Sequence, residues 1–229
     1  MKQLSVCTAP KETVWGVRYL LFELLFLPML LGLANVYLRL DLGEIWLNMI
    51  FYGINFLAVL IIFRDYLKRT QKYTFSNFGK VLGFAILGLV IYWSAMTVMS
   101  MIILYLMPDF SNVNDANLAG MVSEQFIPMA IATIIVVPIT EELLFRGALF
   151  SGFHRRNPRV AWVLSVAAFC FAHVMPYTGL YSWKLLLICA LQYIPAGVCL
   201  AWAYQKSGSI AAPMLMHAAI NAIGVLAMR

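Results

Sequence analysis

The chain is poor in charge. Asp, Glu, Lys and Arg make up 11% of its 229 residues, against about 25% in soluble domains. Hydrophobic residues make up 63%. That balance excludes an ordinary soluble globular domain and points to one polytopic membrane domain. Acidic residues are the scarcer sign, 10 against 16 basic ones. In a soluble protein such an excess would suggest nucleic acid. Here cytoplasmic loops rich in Lys and Arg account for it, and no nucleic-acid partner is expected. Cys7, Cys170, Cys189 and Cys199 form no CxxC pair, so neither a disulfide framework nor zinc-ligand spacing is visible. Three of them lie in apolar segments and read as small hydrophobes. There is no HExxH, no internal repeat and no low-complexity segment.

What is present is a series of long apolar runs. Residues 18–38, 45–63, 81–107, 125–153, 160–177, 183–204 and 210–228 each read as a membrane span. The expected fold class is all-α, a polytopic transmembrane helix bundle of about seven spans. The first run is too long for a signal-peptide core and reads as an uncleaved anchor. Between spans lie a basic connector, 64–80, and a polar loop, 108–123, with only acidic charges. A basic turn at 154–159 and a short turn at 205–209 follow. With the N-terminus cytoplasmic, every Lys and Arg except Arg39, Lys184 and Arg229 falls inside. The expected location is therefore an integral membrane protein, with the compact chain and short loops favouring a bacterial cell membrane. Glu23 reads as a side chain snorkelling at the interface, and His154 as a solvated loop histidine.

Against this background residues 138–147, Pro-Ile-Thr-Glu-Glu-Leu-Leu-Phe-Arg-Gly, stand out. Ionised groups at bilayer depth cost roughly 2.5–3.5 kcal/mol each on insertion scales, so they need partners and usually mark a site. Glu142 and Arg146 are i,i+4 and share a helix face. Glu141 points about 100° away and is left for another task. Pro128 and Pro138 should kink this span and free carbonyls that must find protein or a water-filled cavity. Spans four and five form a hairpin about Asn157-Pro158, with Glu141 and His173 at matched counts from the turn. On straight helices that spacing puts both at one depth. His217 and Asn221 are i,i+4 on the last span and reach a similar layer. Taken singly, His173 could be an interhelical hydrogen bonder, His217 with Asn221 a polar glue pair, and Phe169 plain packing. Their coincidence at one depth favours a site.

Glu141-Glu142-Leu143-Leu144-Phe145-Arg146 fits EExxxR, Phe169-Cys170-Phe171-Ala172-His173 fits FxxxH, and His217-Ala218-Ala219-Ile220-Asn221 fits HxxxN. In this order, on successive apolar helices, they resemble the CAAX prenyl protease and bacteriocin-processing family, also called the Abi family. The resemblance covers about residues 124–229, leaving 1–123 as N-terminal transmembrane helices before a catalytic helix core. It implies an intramembrane endopeptidase without a cofactor. Glu141 and His173 would activate water, His217 and Asn221 would stabilise the oxyanion, and Glu142, Arg146 and Phe169 would support them. Expected partners are membrane lipid and a peptide or protein substrate entering from the membrane or the cytoplasm. Three other readings stay open. One is a zinc protease using Glu141, His173 and His217. The second is a non-catalytic immunity or signalling-modulator protein. The third is a transporter or proton relay.

Overall fold

A computed structural model describes residues 4–229; Lys2, assigned to the basic side, lies outside the described residues. Prolines and glycines punctuate an otherwise helical chain. Helix α1 spans Pro10–Leu25 and α2 spans Leu27–Tyr37, with the axis turning by 48° between them. Pro28 in the first turn of α2 has no N–H, and its ring would strike the Leu24 carbonyl of a continuous helix. The single first span expected from the sequence is thus a broken one.

Helix α3 spans Glu44–Ile62, α4 Arg64–Ser76, α5 Phe78–Leu106 and α6 Val113–Glu124. Two stretches expected to be loops are therefore helical in large part. The basic connector is α4, whose Tyr66 and Thr70 face inward while its Lys and Arg face out. Most of the acidic loop is α6, capped by the Asn112 side chain, which accepts from the Asn114 and Asp115 backbone N–H groups.

Helix α7 runs over Phe126–His154, α8 over Pro158–Val174, α9 over Trp183–Gln192, α10 over Ile194–Ser207 and α11 over Ala211–Ala227. Among the described residues no strand forms, only an isolated bridge between Thr178 and Tyr181. Five helical stretches are long and apolar enough to cross a membrane, six with the bent α1–α2 pair, and α11 is a shorter apolar helix. The all-α polytopic bundle stands. Large apolar side chains such as Val36, Ile61, Val90 and Met101 point outward from α2, α3 and α5, as a lipid-facing surface requires.

The core gathers around the second half of α7. Residues Leu143–Ser151 are all buried, against Phe63, Tyr66, Phe169, Leu200, Tyr204 and Met216. The segment before α1 seals one end of it: the Thr8 N–H donates to Ser151 Oγ at 2.9 Å and its hydroxyl to the Gly147 carbonyl at 3.1 Å. Helix α5 packs along α10 and α11, so the N-terminal helices complete the C-terminal core. Helix α10 ends at Gly208, whose φ of +78° a side chain would strain.

Candidate active site

The site grows out of an irregularity in α7. Residues Ala132–Val136 and Leu143–Ser151 wind as π-helix, on either side of an α-helical piece, Val137–Glu142. π-turns are rare and occur often at functional sites. The first π stretch has a local cause and a local consequence. The Val137 N–H turns to the Ala132 carbonyl, and Pro138 has no N–H to offer. The Thr133 carbonyl is then taken by Asn221, whose amide donates to it from α11 at 2.8 Å. The freed carbonyl expected from the sequence does face protein.

At the end of the α-helical piece the two glutamates part company. Glu142 faces the core. Its Oε1 accepts from Arg146 Nη1 at 2.8 Å, with both side chains fully buried. The pairing expected from the i,i+4 spacing is present. Arg146 also donates to the Gly197 carbonyl at 3.1 Å and sits 4.6 Å above the Phe169 ring, within cation–π range. A Cβ at Gly197 would press on Val166 at 3.1 Å and Phe169 at 3.5 Å. The missing side chain thus lets the α10 backbone close on the guanidinium.

The same Glu142 oxygen lies 2.9 Å from His217 Nδ1. An ionised carboxylate only accepts, so Nδ1 carries the proton. The other ring nitrogen, Nε2, is 4.0 Å from Glu141 Oε2. That gap is too long for a hydrogen bond and suits one bridging water. Among the described residues Glu141 Oε2 has no hydrogen-bond partner, and neither do Glu142 Oε2 and Arg146 Nε. Such orphaned buried atoms cost about 1–3 kcal/mol each and call for an explanation. Three of them lie in one cluster of charged groups.

His173 lies in the last turn of α8. Its Nδ1 donates to the Phe169 carbonyl at 2.8 Å. A carbonyl can only accept, so Nε2 is left with its lone pair. The imidazole sits beside the rings of Phe169 and Tyr193, at centroid distances of 4.6 and 4.1 Å. Phe169 also lies 5.9 Å from the His217 ring, so this one side chain joins His173, His217 and Arg146. The structure brings Glu141, Glu142, Arg146, Phe169 and His217 together directly. His173 is reached through Phe169 and makes no hydrogen bond to Glu141 among the described contacts. Asn221 spends one amide hydrogen on Thr133. Matched residue counts give matched depth only on straight α-helices; the π winding of Leu143–Ser151 advances less per residue, which shifts Glu141 relative to His173.

Two histidine and carboxylate readings are corrected. His154 is not a solvated loop residue. It is 4% exposed, stacked on Phe150 and bonded to the Gln205 amide at 3.0 Å. Glu23 is not an interfacial side chain. It is 8% exposed, and its Oε2 has no partner among the described residues. The bend after α1 and the packing of α1 on α7 turn its face inward. Thr133, Tyr193 and Gly197 were not singled out for the site by the sequence; only the expected kink at Pro138 hinted at backbone contacts there.

The alternative metal set can be tested on its donors. Among the described residues no group of three His, Cys, Asp or Glu side chains is placed to hold an ion, so Glu141, His173 and His217 do not form one.

Comparison with known proteins agrees with the motifs. Residues 123–223 match the family model described as Rce1-like, type II CAAX prenyl endopeptidase. The UPF0177 protein YxdF of Lactococcus lactis subsp. lactis (strain IL1403) is 33% identical over 90 residues. That alignment covers 39% of this chain and 44% of the relative, so the likeness spans under half of the curated protein. No solved structure matches.

Proposed function

We propose that the chain, whose residues 123–223 match the Rce1-like type II CAAX prenyl endopeptidase model, is an intramembrane endopeptidase in which Glu141 and His173 activate water. The observation that carries the reading is the unpartnered, buried Glu141 oxygen, on a partly exposed side chain beside His217 and next to a fully buried Glu142–Arg146 pair. Peptide hydrolysis needs a base acting on water and donors for the oxyanion that forms. Glu141 supplies a carboxylate that is not spent on structure. His173 supplies the free Nε2 that takes or returns a proton.

The oxyanion would be held by His217 and Asn221. His217 already donates from Nδ1 to Glu142, so donation from Nε2 calls for the imidazolium form. Asn221 keeps a second amide hydrogen after its bond to Thr133. Arg146 offsets the charge of Glu142 and holds it against His217. The substrate would be a membrane-associated peptide or protein, and the bilayer lipid its solvent.

The experiment is cleavage of a peptide library, prenylated and unprenylated, by the detergent-purified chain beside Glu141→Gln and His173→Ala. Cleavage by the wild type and loss in both variants is expected. Equal cleavage by all three would sink the mechanism. The proposed orientation has its own test: cysteines at Arg156 and Lys206 should react with impermeant thiol reagents from the cytoplasmic side, and one at Asn114 from the opposite side. Reaction in the reverse sense would invert the topology.

A further inference from the structure

Tyr193 lies at the break between α9 and α10, halfway along the apolar stretch Trp183–Ser207. Its ring lies against His173, with centroids 4.1 Å apart and planes 30° from parallel. Its hydroxyl donates to Asp115 Oδ1 at 2.7 Å and accepts from Asn114 Nδ2 at 3.0 Å. Asn112 Oδ1 is 3.3 Å away, and the Asn112 amide donates to Gln192 at 2.7 Å. These partners belong to the first turn of α6, part of the stretch that reads as an outer loop in the sequence. Val113 of the same turn is buried against Val174, Leu186 and Cys189. The start of α6 is therefore wedged among α8, α9 and α10, with its polar side chains aimed at one phenol.

We infer that Tyr193 is a positioning residue for His173, and that the Asp115–Tyr193 bond ties the histidine to the first turn of α6. The inference rests on the catalytic role of His173 proposed above. Two physical effects support it. The Nδ1 bond to Phe169 fixes one edge of the imidazole, and the Tyr193 ring fixes its face, so Nε2 is left with one direction. A phenol that donates to a carboxylate is also electron-rich, and its face attracts the positive charge His173 carries after taking a proton. A ring held by plain packing would need no carboxylate at its far end. Here the end is held by an aspartate among Asn112, Asn114 and Gln192.

The test reads both contact and turnover on the full chain in detergent. The chain has three histidines, so ¹³C-histidine labelling gives three ring signals, assigned with His173→Ala. The Tyr193 ring current should displace the His173 signal upfield. Tyr193→Phe should keep that displacement and Tyr193→Ala should lose it. In cleavage, Tyr193→Ala should lower kcat by roughly 10- to 30-fold with KM nearly constant. Tyr193→Phe and Asp115→Asn, which keep the ring and loosen its anchor, should each lower kcat by about 3-fold, and together no further than either alone. Wild-type kcat in Tyr193→Ala, or a His173 signal unmoved by it, overturns the inference. Should Tyr193→Ala fail to fold, wild-type kcat in both anchor variants overturns it equally. Full activity in His173→Ala would instead remove the catalytic reading, while the ring signal still judges the contact.

Discussion

Glu141 and Glu142 are neighbours in the chain and opposites in the fold. The face of α7 that carries Glu142 is closed: its carboxylate meets Arg146 and His217, and no part of it is exposed. The face that carries Glu141 is open, with the side chain 21% exposed and one buried oxygen unmatched. A single step along the helix, about 100° of rotation, thus separates a group spent on structure from a group available for chemistry. Paired carboxylates in a membrane should not be counted as equals. The one with partners builds the site, and the one without them is the candidate base.

The comparison breaks most sharply at Glu141. Glu141→Gln should lower cleavage by about 10²-fold or more, a general-base magnitude, while the protein stays monodisperse in detergent. His173→Ala should behave alike. A Glu141→Gln protein that aggregates but cleaves normally per folded molecule would reverse the two roles.

The closed face should fail in the other currency, stability. Arg146→Ala leaves Glu142 buried without its cation, at roughly 3–5 kcal/mol. Loss of expression and of thermal stability is expected, and the Glu142→Ala, Arg146→Ala double variant should recover part of it. A stable, well-expressed Arg146→Ala protein would show that the pair is dispensable.

Asn221 sits on both sides of the division, since it binds the Thr133 carbonyl and is the proposed oxyanion donor. Asn221→Ala should lower turnover by about 10²–10³-fold if the donor role holds. A change confined to the melting temperature would assign it to helix packing alone. The smallest expected effect is that of a zinc chelator, which should leave cleavage unchanged. Chelator-sensitive cleavage restored by zinc or cobalt would move Glu141 from base to ligand.

Some of this was legible in the residues. Glu142–Arg146 could be read because i,i+4 is a property of a single helix, and it survives the onset of π winding. His217 could be placed near the carboxylates because α11 begins at a marked turn only a few residues earlier. The helical nature of 64–76 and 113–124 was not legible, because α4 and α6 are polar on most of their surface and lack a span's apolar signal. Nor was the burial of Glu23, which depends on the bend at Phe26, or that of His154, which depends on Gln205 from a distant helix. Tyr193 was hidden for the same reason: a tyrosine in an apolar run looks like interface or core until both its ring and its hydroxyl have partners.

The lengths of two packed helices bear on the lipid itself. Helix α5 has 29 residues and rises about 43 Å at 1.5 Å per residue. Its neighbour α11 has 17 residues and rises about 26 Å. A hydrocarbon layer is about 30 Å thick, so the first overshoots it and the second falls short. A tilt brings α5 within such a layer, whereas around α11 a locally thinner layer would match its length. Helix α11 is the one that carries His217 and Asn221. A thinner layer on that flank would bring headgroups and their water nearer to the buried carboxylates, where a hydrolytic reaction would need them.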